Sequence, residues 1–187
     1  MRDDLSNKLV HLTKGTNTDP TKHREEAFVN LCSILKEKRL RGGTGFIKGG
    51  HYCACFSEAP IGKLSHLLAE RSEGKFKYQP YGILVDKVWL YKLGGRPAIY
   101  GPDSDYEKLP EEMRYRHVRF WLSEKGSIDH TWEREWRLKT MSLSISPSEV
   151  TVVVPDRTAK DVLVENYGAD NWHYIALSDL GVKINAL

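Results

Sequence analysis

The block Trp132-Glu133-Arg134-Glu135-Trp136-Arg137 alternates indoles with charged groups. In an extended chain, alternate side chains share a face. Glu133, Glu135 and Arg137 would then lie together, with Trp132, Arg134 and Trp136 opposite. Carboxylates two residues apart stand about 7 Å apart along such a backbone. The aromatic face suits a core, and the charged face suits a cleft in which paired acids could work. A sheet edge with packed tryptophans and solvated ion pairs accounts for the same pattern.

Other segments offer further polar groups. His11 and Thr13 share one face of a short apolar run, where they could point into a pocket or where His11 could simply bond a backbone carbonyl. His51, Cys53 and Cys55 fall on one strand face. Their spacing lacks the Cys-x-x-Cys of a zinc knuckle, so small buried cysteines are the better account and no metal is expected. Ser57-Glu58-Ala59-Pro60 puts polar groups at the end of a core strand, a frequent place for a site. Tyr81 and Tyr100 each adjoin a glycine, and either could stack a flat ligand ring or sit at the rim of the core. Lys36, Lys38, Arg39, Arg41 and Lys48 could touch phosphates, although cations at a helix C-terminus also complement its dipole. No Walker or dinucleotide glycine loop, no Gly-x-Ser-x-Gly elbow and no His-Glu-x-x-His is present.

The elements that must position these groups follow from periodicity. Leu9–Thr13 reads as a strand. Asp19-Pro20 supplies an N-cap and a first-turn proline, and Phe28, Leu31, Cys32 and Leu35 make one apolar helix face. Gly42-Gly43 is expected to end that helix. Short strands are expected at Tyr52–Phe56, Ile83–Val85, Ala98–Tyr100, Val118–Trp121, Trp136–Thr140 and Thr151–Val154, with a last one at Tyr174–Leu177. A short helix is expected over Ile61–Leu68. Another should run from an Asp156 cap to Gly168. Few helices among many short strands predict an α+β fold rather than a doubly wound parallel sheet.

Composition sets the outer bounds. The 187 residues favour one domain, residues 1–187. The 28 Lys+Arg against 25 Asp+Glu leave a net charge of +3, which argues against a dedicated duplex binder. No apolar run reaches the roughly 20 residues of a membrane span. The opening MRDDLSNKLVHLT has no signal-peptide core, and three cysteines give no disulfide framework. A soluble, reduced, cytoplasmic protein is the expectation.

Taken together, Leu9–Thr13, Cys53–Pro60, Tyr81-Gly82-Ile83, Gly94–Tyr100, Arg116–Arg119 and Trp132–Arg137 resemble the bacterial AbiGi-type family. That family is associated with abortive phage infection and is described as an antitoxin. The likeness runs from about Leu9 to Asp156, and its Glu-Arg-Glu-Trp-Arg block is the most specific part. More distantly, the order of elements is similar to the ADP-ribosyltransferase superfamily, in particular the DarT-like enzymes that modify nucleic acid. This second likeness implies an ADP-ribosyltransferase-like fold and NAD as the consumed cosubstrate. It implies that His11 and Thr13 hold the NAD ribose, with Ser57 at the end of the second strand. Tyr81 or Tyr100 would stack on nicotinamide, Glu135 would be the catalytic carboxylate, and Glu133 would position an acceptor or act as base. Two departures stand out: Leu12 follows His11 where the family's His-Gly-Thr form has glycine, and the paired tyrosines of the poly-ADP-ribose branch are missing.

The implied activity is transfer of ADP-ribose to a nucleic-acid or protein acceptor in phage defence, or hydrolysis of NAD. The alternative is a non-catalytic antitoxin-like module holding a cognate toxin, with aromatic side chains as anchors. A third is a nucleic-acid binder using the basic helix end.

Overall fold

The computed structural model describes residues 6–60, 68, 71–72, 75–76 and 78–182. Strand β1 (Lys8–Leu12) leads to helix α1 (Pro20–Glu37). The Asp19 side chain accepts the Lys22 N–H at 3.0 Å, and Pro20 fills the first turn, where no N–H is needed. Ala27, Leu31 and Leu35 face inward. Completely burying Leu31 contributes about 1.5–3 kcal/mol. The helix ends at Glu37, five residues before the expected Gly42-Gly43, because Lys38 takes a left-handed conformation (φ 49°) as the C-cap. The basic residues that follow form β2 (Arg39–Arg41) instead of a last helical turn.

The remaining strands are β3 (Cys53–Ser57), β4 (Arg71–Ser72), β5 (Lys75–Phe76), β6 (Gly82–Asp86), β7 (Arg96–Pro97) and β8 (Ile99–Gly101). They continue with β9 (His117–Arg119), β10 (Trp121–Ser123), β11 (Gly126–Ile128), β12 (Glu135–Lys139), β13 (Ser142–Ser144), β14 (Val150–Val154) and β15 (His173–Ala176). Among the described residues two further α-helices are α2 (Lys87–Lys92), which the sequence pattern did not announce, and α3 (Arg157–Tyr167), capped by Asp156 and ended at Gly168 as expected. The helix expected over Ile61–Leu68 lies outside the described residues except for Leu68. The run Val118–Trp121 is not one strand: β9 pairs with β8, β10 pairs with β11, and Phe120 separates them.

Seven strands form one mixed sheet in the order β15-β14-β6-β1-β3-β12-β7. Only β14 and β15 run parallel within it. The fold is α+β. Alternation sends Leu9, Phe56, Ile83, Val85, Trp136 and Leu138 to the core shared with α1. Val10, Leu12, Leu84 and Val153 go to a second cluster closed by Leu177. No described helix is long and apolar enough to cross a membrane.

The two flanks of β1 differ. Against β6 it is paired along its whole length, from Lys8–Asp86 to Leu12–Gly82. A Cβ at Gly82 would run into the His11 carbonyl oxygen, so glycine lets the chains close here. Against β3 the register consists of Val10 opposite Ser57.

A candidate site where the sheet splits

A cleft of about 960 Å³ opens along that sparsely paired flank. Val10 to Lys14 form one border and Cys55 to Ser57 the other. In place of a ladder bond, the His11 imidazole spans the gap, its Nδ1 lying 2.8 Å from the Cys55 carbonyl oxygen. A carbonyl only accepts, so Nδ1 carries the proton and Nε2 keeps its lone pair. The ring also meets Phe56 edge-on at 5.8 Å. Burial pushes the His11 pKa below its ordinary value and the nearby Lys14 adds to this, against the Cys55 hydrogen bond. The ring is therefore neutral at physiological pH.

Across the cleft stand Glu133, Glu135 and Arg137, but not by simple strand alternation. Thr131–Glu133 is a turn of 3-10 helix, Arg134 is left-handed (φ 48°), and β12 begins only at Glu135. Trp132 and Arg134 are therefore not strand neighbours of Trp136. The kink still brings both carboxylates to the cleft. The Ser57 hydroxyl donates to the Glu133 carbonyl oxygen and accepts the Ala59 N–H, fastening the end of β3 to this turn.

Glu135 is held rigidly. Arg137 Nε and Nη2 grip its two carboxylate oxygens at 2.9 and 3.1 Å. The Arg137 Nη1 donates to the Tyr115 and His117 carbonyls. Burial works against the guanidinium charge, yet Glu135 outweighs it and the Arg137 pKa lies above its ordinary value. Arg137 is 4% exposed at its side chain and Glu135 17%, so of these two lining groups the carboxylate is the more open. The Glu135 backbone N–H donates to the Tyr100 hydroxyl at 2.9 Å. Burial, reinforced by the two neighbouring carboxylates against the Glu135 N–H bond, raises the Tyr100 phenol to about 12. Burial, then the Glu135 charge, raises the Cys55 thiol well above the ordinary range, so it stays protonated and is no nucleophile.

The expected site residues thus divide. His11, Ser57, Glu133 and Glu135 converge on one cleft. Thr13 borders it, but its hydroxyl is turned to structure, donating to the Ala27 and Tyr81 carbonyls at 2.8 and 3.1 Å. Tyr100 lies behind Glu135 and is not among the lining residues. Tyr81 is buried in the core, edge-on to Phe28 at 5.4 Å, so no face of it meets the cleft. Among the described residues no group of three or more His, Cys, Asp or Glu side chains is placed to hold a metal.

Among the lining residues that the sequence pattern did not single out are Tyr78, His130 and Phe46. Tyr78 donates its hydroxyl to Glu133 Oε2 at 3.3 Å. His130 puts Nδ1 3.6 Å from Glu133 Oε1, too long for a hydrogen bond, and that nitrogen has no hydrogen-bond partner among the described residues. Phe46 is 95% exposed at the mouth. None of the three belongs to a periodic pattern. A phenylalanine next to glycine in a polar loop was the one signal available.

No protein-family model matches the chain, and no curated protein or solved structure matches it either.

Proposed function

We propose that the protein is an ADP-ribosyltransferase-like enzyme that binds NAD in this cleft. It transfers ADP-ribose to a macromolecular acceptor or, with water as acceptor, hydrolyses NAD. The observation that carries the reading is the meeting of His11 and Glu135 in one cleft. Its volume of about 960 Å³ lies at the upper end for small-molecule sites.

In the reaction, the bond between ribose C1′ and the nicotinamide nitrogen breaks and its electron pair leaves with nicotinamide. The sugar becomes oxocarbenium-like. Glu135 stabilises that charge, and Arg137 fixes the direction of the carboxylate in advance. His11 meets the ribose with the Nε2 lone pair, and Thr13 and Ser57 shape the wall beside it. The acceptor oxygen or nitrogen then bonds to C1′ and gives up its proton, for which Glu133 is the nearby base. The stacking role belongs to an aromatic ring at the cleft, a position Tyr81 and Tyr100 do not hold. The setting in phage defence, and membership of the AbiGi-type family, rest on the sequence resemblance.

Nicotinamide release from NAD⁺ by the purified protein, with candidate nucleic-acid and protein acceptors present, tests the reading. Glu135→Gln should lower the rate by about 10²–10³-fold. Folded wild-type protein that neither binds nor cleaves NAD⁺ would overturn it.

One observation favours a second reading, an antitoxin-like module that holds a cognate toxin. The β10–β11 hairpin exposes Trp121 and Leu122, apolar anchors of the type found at interfaces. A stable complex with the product of an adjacent gene, indifferent to substitution of His11 or Glu135, would support it.

A further inference from the structure

Phe46 stands out at the cleft mouth for two independent reasons. Its side chain is 95% exposed, and its backbone is left-handed at φ 59°, a conformation that non-glycine residues rarely adopt. Neither burial nor turn chemistry explains a phenylalanine there, since Gly45 beside it or Gly49 further on would take such a conformation at no steric cost. The ring is held next to a charge: the Lys14 Nζ lies 5.8 Å from its centroid, within cation–π range.

The cations of the same cleft fall into two groups. Arg41 is paired with Glu37, Arg119 with Asp103 and Arg137 with Glu135. Lys14 and Arg39, which also line the cleft, have no carboxylate partner among the described residues. Lys14 is set in place from behind. The Thr16 and Asn17 N–H groups both donate to Glu26, and Asn30 Nδ2 donates to the Lys14 carbonyl.

We infer that Phe46, Lys14 and Arg39 form a nucleotide-binding subsite, Phe46 stacking one heteroaromatic base and the two cations holding the adjoining phosphates. The inference rests on the reading of the cleft as a dinucleotide site and assigns to that site a part the expected residues did not cover. An exposed aromatic face is open for a base to stack on, and cations with no carboxylate partner among the described residues can meet phosphate oxygens. Adenine and nicotinamide are both flat rings that Phe46 could take, and the two halves of the dinucleotide separate them experimentally.

Calorimetric titration of the full chain with NAD⁺, adenosine monophosphate and nicotinamide mononucleotide provides the test. Phe46→Ala should weaken NAD⁺ about ten-fold and weaken one mononucleotide by a similar factor, leaving the other unchanged. Phe46→Trp should retain the wild-type affinity. Lys14→Gln with Arg39→Gln should weaken NAD⁺ and flatten its salt dependence. Unchanged NAD⁺ binding in Phe46→Ala, or equal weakening of both mononucleotides, overturns the subsite while NAD⁺ binding by the cleft stands. A wild-type protein that binds none of the three ligands overturns both readings. Phe46-dependent binding of a single-stranded oligonucleotide without NAD⁺ binding overturns them as well, in favour of a nucleic-acid surface.

Discussion

Strand β1 has one closed flank and one open flank, and the contrast explains where the cleft comes from. Toward β6, apolar side chains pack on both faces and glycine at position 82 lets the backbones approach along five residue pairs. Toward β3, the single Val10–Ser57 pair leaves backbone groups that a side chain must satisfy, and His11 does so. A sheet can thus hold its strand order and still part locally, provided each polar group exposed by the parting finds a partner. The same flank is lined by the Glu135–Arg137 pair along β12, whereas the closed flank is dominated by Ile83, Leu84 and Val85.

The largest effect is expected at the charged support of the open flank. Arg137→Met leaves Glu135 without its partner and two carbonyls without their donor. It should cost about 3–5 kcal/mol, read by urea unfolding. On the closed flank, Ile83→Ala removes a fully buried side chain. It should cost about 2–5 kcal/mol and leave ligand binding in the cleft unchanged; a variant that lost binding in step with stability would erase the distinction between the flanks.

His11→Phe is more informative than large. It leaves the Cys55 carbonyl unpaired, for about 1–3 kcal/mol, and changes the pH profile. Because the folded His11 pKa lies below 6.5, the unfolded chain takes up the proton first. Stability from the neutral ring is fully present above about pH 6.5 and falls as pH drops toward the lowered folded value. Denaturation between pH 7.5 and 4.5 should show that decline in wild type and a shallower one in His11→Phe. Identical slopes would mean that His11 does not span the gap as a neutral donor. The smallest change is expected far from either flank. Asp156→Ala removes the side-chain cap on Ala159 N–H and should cost about 1 kcal/mol with an unaltered cleft.

The helix α1 and several cleft residues could be read from the sequence, whereas the parting of β1 from β3 could not, and the failures have definite causes. The apolar period from Phe28 to Leu35 and the Asp19-Pro20 start identify α1, since cap and period act locally. Its end lies earlier than expected because Lys38 adopts a left-handed conformation that usually belongs to glycine. Glu133 and Glu135 were paired by strand alternation. The chain brings both to the cleft through a 3-10 turn and a left-handed Arg134, a different geometry with the same destination. Tyr81 and Tyr100 each adjoin glycine, and nothing local separates a tyrosine in the core from one supporting a strand from behind. Phe46 was passed over because its neighbour Lys14 is distant in sequence, and His130 because it meets Glu133 through a 3-10 turn that strand alternation does not describe.

The decisive experiment is a structure of the protein with a non-hydrolysable NAD analogue. Density should lie in the parted flank, with the nicotinamide ribose between His11 and Glu135. Density confined to another part of the surface, or an unaltered cleft at saturating analogue, would contradict this placement.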